Sequence, residues 1–340
     1  MSTPAAVLTG LGAYVPPRVV TNDELSRRMD TSDAWIVRRT GIRQRHWAEP
    51  GVATSDLAVE AGHRALKSAG AEGSDGSDGI GLVVVATTTP DQQCPAVAPD
   101  VAARLGLGTV AALDVGAGCT GFVYALATAS AALVAGYAER ALVIGAETFR
   151  PFLNPADRGT AVIFGDGAGA VTLRRGTTDE AGAVLTVDLG SDGTLKDLVG
   201  IPGNGSRHRS TGRPPHPDEQ YLFMHGKEVF VQAVRRMAQS STTALAQVGW
   251  SVDEVDHVVG HQANLRILHA VAGELGLPEE RLVRHVDRVG NTSAASIPLA
   301  LADATERGRL RPGDRLLLTA FGAGLAWGSA ALTWPGITLA

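Results

Sequence analysis

Asp114-Val-Gly-Ala-Gly-Cys119-Thr-Gly-Phe-Val-Tyr-Ala-Leu126 decides how this chain is read. A strand-like run, Val110 to Val115, ends in small residues, presents one cysteine and passes at once into a helical run reaching about Ala135. No charged residue occurs from Val115 to Ala138, so this is not an ordinary amphipathic surface helix. The expectation is a buried helix whose N-terminus is aimed at the Cys119 sulfur. Unpaired N–H groups and about half a positive charge at that end favour thiolate over thiol. The effect is worth up to about 2 kcal/mol, or roughly 1.5 pKa units. Burial acts the other way, so a cationic or hydrogen-bonding neighbour is expected as well. A small cysteine filling core space is the plainer alternative; the strand–Gly–Cys–helix placement favours a nucleophile.

The chain has 340 residues, 44% of them hydrophobic and 5% aromatic, with 41 glycines. That length allows two units of ordinary size with a substantial core, and the composition suits a tightly packed α/β protein. A net charge of −5 argues against general nucleic-acid affinity, so any basic docking surface must be local. Met-Ser-Thr-Pro-Ala-Ala shows no basic region before an apolar core, so no secretory signal is expected. The uncharged run 115–138 is long enough to span a bilayer, but it is rich in Ala, Gly, Ser and Thr and starts with a glycine turn. It reads as a buried helix in a protein with no membrane partner. Two cysteines, Cys94 and Cys119, give no disulfide framework, and a cytoplasmic protein is expected.

Taken in order, residues 5–15 read as a strand, Asn22 opens a short helix, and Thr31–Arg38 forms a second, capped by Ser32 or Asp33. Thr54 to Gly70 is an amphipathic helix capped at Thr54 or Ser55. A polar loop at 71–79, a strand at Ile80–Ala86 and a helix at about Ala96–Leu105 follow. After the Cys119 helix come a strand at Arg140–Ala146 and a strand–turn–strand over Thr160–Leu173. The second half repeats the order: strand Ala183–Leu189, a loop over Gly200–Pro217, helix Lys227–Gln247, strand Val255–Gly260, helix Leu265–Leu275 and strand Arg281–Val286. A small-residue helix then opens at Asn291, followed by strand Arg315–Thr319 and a closing hairpin at Phe321-Gly-Ala-Gly. Equivalent points lie about 170 residues apart: Ser55 with Gly226, Thr88 with His261, Cys119 with Asn291. The spacing shrinks at Phe164 with Phe321, which places an extra stretch near Thr148–Arg158.

The repeat predicts two halves, 1–176 carrying the cysteine and 177–340 carrying a histidine and an asparagine. Each half supplies one nearly uncharged helix, which hides its backbone only by packing between the two sheets. The fold class is therefore α/β, five layers α-β-α-β-α from two pseudo-duplicated halves. Cys119, His261 and Asn291 fall at corresponding element ends, where α/β proteins place their sites. A thiolate attacks a thioester carbonyl to give an acyl-enzyme. An imidazole and a carboxamide donate to a second thioester carbonyl and stabilise the enolate left when a malonyl group loses CO2. One oxyanion donor is worth roughly 2.7–4 kcal/mol. Backbone N–H groups of Cys119 and of the turn at Ala323 suit the acyl-transfer oxyanion. Taken singly, His261 reads as a polar core residue, Asn291 as a helix cap, Trp35 as core or interface, and Phe164–Gly169 as hairpin turn chemistry. Cys94 reads as loop packing.

Almost the full chain resembles β-ketoacyl-acyl carrier protein synthase III, a condensing enzyme of the thiolase fold. The residues that carry the likeness are Thr31-Ser-Asp-Ala-Trp-Ile-Val-Arg-Arg-Thr-Gly-Ile-Arg43, Gly118-Cys-Thr-Gly-Phe122, Phe164-Gly-Asp-Gly-Ala-Gly169, His261-Gln-Ala-Asn-Leu-Arg-Ile267, Gly290-Asn-Thr-Ser-Ala-Ala-Ser296 and Phe321-Gly-Ala-Gly-Leu-Ala-Trp-Gly-Ser329. The resemblance implies a homodimer that loads an acyl group from acyl-CoA onto Cys119 and condenses it with malonyl-acyl carrier protein, starting a fatty-acid or polyketide chain. It implies no metal and no cofactor, coenzyme A thioesters being substrates. Trp35 and Arg158 would hold the adenine of coenzyme A, with Arg39 nearby, and Arg266 would meet the acidic carrier protein. Thr87–Pro95 would line the partner subunit's acyl pocket, making Cys94 and Phe321 acyl-pocket residues. Two departures stand out. Ala323 replaces a glycine of the usual turn and adds a methyl, and Cys94 stands where a bulky aromatic is common, which leaves room for a larger or branched primer. A non-condensing acyltransferase and a silent partner subunit are the rival readings. Intact His261 and Asn291 oppose the first, and Cys119 opposes the second.

Overall fold

The computed structural model describes residues 2–70, 79–203 and 205–340, so most of the polar loop read at 71–79 lies outside the described residues. Two mixed sheets form the frame. The first has strand order Pro4–Tyr14, Gly167–Thr177, Arg140–Glu147, Ile80–Ala86, Ala111–Val115. The second runs Val184–Ser191, Ala326–Thr333, Arg315–Gly322, His257–Gly260. Directions match strand for strand: two antiparallel pairings, then a parallel one. The first sheet adds a second parallel pairing to Ala111–Val115. In the second sheet its counterpart is a single bridge, Val258 to Leu282.

Alternation along each strand builds the layers. Leu82, Val84 and Ala86 face a central core shared with Leu316, Leu318 and Ala320 of the second sheet. Val83 and Val85 face outward onto helix Thr54–Ser68 and helix Val97–Arg104. Leu317 faces outward onto helices Gly226–Val248 and Leu265–Leu275. Between the sheets lie helices Gly121–Val134 and Ser296–Glu306, which contribute Phe122, Ala125, Leu126, Ile297, Ala300 and Leu301 to the central core. The result is the five-layered α-β-α-β-α arrangement.

Several local expectations are corrected. The strand at 281–286 does not form. Leu282 makes its single bridge, and the side chain of Gln262 occupies the place a strand would fill. Its Nε2 donates to Gly260 O (2.8 Å) and Val283 O (3.1 Å), and its Oε1 accepts from His285 N (2.8 Å) and Val286 N (3.1 Å). One buried amide thus satisfies the backbone groups that a ladder would otherwise pair. Residues 160–163 form turns rather than a strand. They lead into Gly167–Thr177 through Asp166, whose carboxylate takes the N–H groups of Ala48, Phe149 and Arg150 at 2.8, 2.7 and 3.3 Å. The cap of helix Thr54–Ser68 is Ala53, whose N–H bonds Asp56; Thr54 is spent on Thr89 and Thr148 instead. The Cys119 helix is not enclosed all round, since Thr128, Ala131 and Val134 are exposed.

Candidate active site

Cys119 sits in a single 3-10 turn, Gly118–Thr120, ahead of helix Gly121–Val134. The turn is held by Thr120, whose hydroxyl donates to Ala326 O at 2.9 Å. Gly118 needs its φ of +54°, a region in which side chains are strained. The turn at Phe321–Ala323 presses against it from the other sheet. A Cβ on Gly322 would lie 2.5 Å from Cys119 N and 2.9 Å from Thr120 N, and one on Gly118 would lie 2.8 Å from Ala323 N. The two backbone turns therefore interlock, with the Cys119 and Ala323 amides side by side. The Ala323 methyl fits because Gly118, opposite, has no side chain.

His261 follows strand His257–Gly260 and extends its pairing by donating its N–H to Thr319 O (2.8 Å). Its Nδ1 lies 2.7 Å from the Ser296 hydroxyl, which also accepts from Gln262 N at 3.3 Å. A hydroxyl has one proton and two lone pairs, so Ser296 donates to Nδ1 in one ring tautomer and accepts from it in the other. Burial pushes the imidazole down to about 3, so it is neutral at physiological pH, and in the tautomer to which Ser296 donates its proton is on Nε2. Asn291 is oriented by a backbone donor: its Oδ1 accepts from Ser293 N (2.8 Å), leaving the NH2 group as the free donor. Its backbone is pinned to Ile163 O and Gly165 N at 2.9 and 3.0 Å.

Cys119, His261 and Asn291 line one cavity of about 610 Å³, together with Phe321, Gly322 and Ala323. Trp35, Arg39 and Arg158 line the same cavity. The Arg39 guanidinium stands 4.6 Å from the Trp35 ring centre and that of Arg158 5.1 Å, arrangements that favour stacking of a flat aromatic group. Arg158 is also tied to Asp30, through O at 2.7 Å and Oδ2 at 3.0 Å. Arg266 opens helix Leu265–Leu275 over Phe230 and is exposed. Between these ends the wall is apolar, with Met224, Val229, Phe230 and Met237. Cys94 does not belong to this cavity and is not packed in a loop; it is exposed.

The charge argument at Cys119 is reversed. Burial pushes the thiol up to about 12; the Ser293 hydroxyl opposes this, and the carboxylate of Glu147 raises it further. The uncharged setting that makes the helix unusual is also what desolvates the sulfur. Glu147 and Ser293, which the sequence did not point to, lie close to Cys119 behind the cavity wall. Ser293 is the only non-glycine residue of the described chain with a left-handed backbone (φ +47°), a conformation that costs roughly 1–2 kcal/mol. Its hydroxyl donates to Glu147 Oε1 at 2.9 Å. The signal available in the sequence was a carboxylate ending the apolar strand Arg140–Glu147 at the level of Cys119.

The fold and the interlocked cysteine turn define a condensing enzyme of the thiolase class. Family models described as 3-oxoacyl-[acyl-carrier-protein] synthase III and its C-terminal part match residues 113–193 and 245–334. A β-ketoacyl-[acyl-carrier-protein] synthase III of Streptomyces coelicolor is 60% identical over 334 residues, covering 98% of each chain. The synthase III of Pseudomonas aeruginosa is 52% identical over 333 residues, again 98% of each. The crystal structure of a Pseudomonas aeruginosa 3-oxoacyl-(acyl carrier protein) synthase III superposes with a TM-score of 0.91 at 50% identity, over 98% of this chain and 99% of that one. A priming β-ketosynthase of a polyketide pathway gives 0.88 at 35% identity, over 97% and 96%. The chain belongs to the β-ketoacyl-acyl carrier protein synthase III family, the condensing acyltransferases that initiate fatty-acid or polyketide synthesis.

Proposed function

We propose that Cys119 takes the acyl group of an acyl-CoA primer and that His261 and Asn291 bind the thioester carbonyl of malonyl-acyl carrier protein as it loses CO2. The observation that carries this reading is donor polarity. The Ser293 N–H leaves the Asn291 NH2 as a donor, Ser296 donating to Nδ1 would leave His261 with Nε2–H, and both residues line the cavity that holds the sulfur. Two such donors acting on a developing enolate are worth several kcal/mol. The N–H groups of Cys119 and Ala323 serve the tetrahedral oxyanion of acyl transfer. Trp35, flanked by Arg39 and Arg158, takes the adenine, Arg266 meets the carrier protein, and Phe321 bounds the acyl chain. All steps use protein groups and the two thioesters, without metal or prosthetic group. The test is mass spectrometry after incubation with acyl-CoA: the acyl mass is expected on the Cys119 peptide, and its appearance on the Cys94 peptide would reject the assignment.

The working form is a homodimer in this reading. Strand Ala111–Val115 is an open sheet edge with Leu113 38% exposed, and Val134 and Tyr137 at the end of the Cys119 helix are exposed too. A bare edge with apolar side chains is a pairing surface, and pairing there would cover the uncharged flank of the Cys119 helix. The adjoining segment, with Cys94, would then face the partner's acyl chain. Leu113→Lys is expected to convert the dimer to monomer in light scattering; an unchanged mass would reject this surface. No described helix is long and apolar enough to cross a membrane, and two free cysteines fit a reducing cytoplasm.

A further inference from the structure

Glu147 closes strand Arg140–Glu147 with its side chain fully buried. Among the described residues its hydrogen-bond partners are all uncharged. The carboxylate accepts from Thr88 N (3.1 and 3.0 Å), the Thr89 hydroxyl (2.8 Å) and the Thr87 hydroxyl (3.3 Å). These three residues follow directly on the neighbouring strand Ile80–Ala86. Its remaining partner comes from the other half of the chain: the Ser293 hydroxyl donates to Oε1 at 2.9 Å. Buried carboxyl groups normally have a counter-ion or serve a function, and here the distant partner stands two places after Asn291.

The left-handed backbone of Ser293 (φ +47°) is one that a residue with a side chain keeps only where its surroundings impose it. The bond to Glu147 supplies that restraint. Held in this way, the Ser293 N–H donates to Asn291 Oδ1 at 2.8 Å. The backbone of Asn291 is already fixed, its N–H donating to Ile163 O (2.9 Å) and its O accepting from Gly165 N (3.0 Å). What those two bonds do not fix is which end of the carboxamide faces the cavity. The two ends are nearly alike in size and opposite in polarity. Turned over, Asn291 would offer a thioester carbonyl an oxygen instead of an NH2 group. A backbone N–H only donates, so the flipped amide would leave it facing another donor, buried and unpaired.

We infer that Glu147 and Ser293 are positioning residues for the decarboxylation step: Glu147 holds Ser293 in its left-handed turn, and the Ser293 N–H keeps the Asn291 NH2 group turned toward the substrate. Neither residue is among those lining the cavity, so both act through Asn291. Glu147 belongs to the sheet whose edge strand, Ala111–Val115, leads into Cys119, and the contact therefore ties the donor to the same frame as the nucleophile. The inference rests on Asn291 being a donor in decarboxylation, which Asn291→Ala tests separately. In that variant CO2 release from malonyl-acyl carrier protein should fall 10²- to 10³-fold; an unaltered rate would overturn the reading and the inference with it.

Ser293→Ala should lower CO2 release about 100-fold, while acyl loading of Cys119 from acyl-CoA, read by intact mass, falls far less. Ser293→Gly also lacks the hydroxyl but takes positive φ without strain, so it should recover part of the lost rate. A hydroxyl that acted on substrate directly would leave the two variants equal. Glu147→Ala should match Ser293→Ala, whereas Glu147→Gln, which still offers the serine an oxygen, should be several-fold more active than Glu147→Ala. Combining Ser293→Ala with Asn291→Ala should cost no more than Asn291→Ala alone. Normal CO2 release in Ser293→Ala, with Asn291→Ala impaired, would overturn the positioning role and leave the reading of Asn291 standing. Equal rates in the alanine and glycine variants, or losses that multiply in the double variant, would overturn it as well. If the Glu147 variants do not fold, the two Ser293 variants decide alone.

Discussion

His261→Ala is expected to lower decarboxylation of malonyl-acyl carrier protein by about 10³-fold while Cys119 still accepts the acyl group from acyl-CoA at close to the normal rate. One preorganised donor to a developing oxyanion contributes 10²- to 10³-fold. His261 is also the better-fixed of the two donors, with Nδ1 committed to Ser296 and the ring nearly enclosed. The imidazole is held by Ser296 and not by the sulfur, which is why the first half-reaction should survive. Release of labelled CO2 reads the second step and intact mass reads the first. Equal loss of both would assign His261 to the cysteine instead. Because burial holds the imidazole at about 3, it stays neutral from pH 5 to 8. Over that range its titration contributes no change to the decarboxylation rate.

Gly322→Ala is expected to abolish measurable condensation and to destabilise the protein by about 1–3 kcal/mol, whereas Ala323→Gly, one residue on, should do neither. The atoms that a Cβ on Gly322 would strike are Cys119 N, Thr120 N and Cys119 Cα, at 2.5, 2.9 and 3.2 Å. All are backbone, so the whole cysteine turn must move. Misplacement of a reacting group by about 1 Å costs roughly 10²-fold. Here Cys119, its amide and that of Ala323, the groups proposed as nucleophile and oxyanion donors, shift together. Thermal unfolding and steady-state CO2 release on the two variants make the comparison. A tolerant Gly322→Ala would mean that the two turns are not rigidly interlocked.

The positions of Cys119, His261 and Asn291 were legible because each lies where one periodic pattern stops and another begins, at matching points of a repeat. The layered fold followed from the same repeat and from an uncharged helix that has to be covered. Glu147 and Ser293 were not legible as a pair, because a contact across 146 residues leaves no spacing to read. A glutamate closing an apolar strand looks like a strand end meeting solvent. The misread strand at 281–286 has a similar origin. Its apolar residues Leu282, Val283 and Val286 are buried, but the backbone groups a strand would pair are taken by Gln262, a side chain from another element. The sign of the Cys119 shift was lost for a different reason. A helix end is visible in the sequence and burial of one sulfur is not, yet burial is the largest influence on the Cys119 thiol.

The uncompensated carboxyl at Glu147 also bears on how firmly the chain holds together. Its ordinary value of 4.5 becomes about 7 in the folded state. Between those two pH values the native chain binds more protons there than the unfolded one, so stability declines as pH climbs through the window. A displacement of that size corresponds to about 3 kcal/mol, a large share of what keeps a domain folded. The ionised form of Glu147 is therefore the less durable one, and the chain resists unfolding best when this buried carboxyl is protonated.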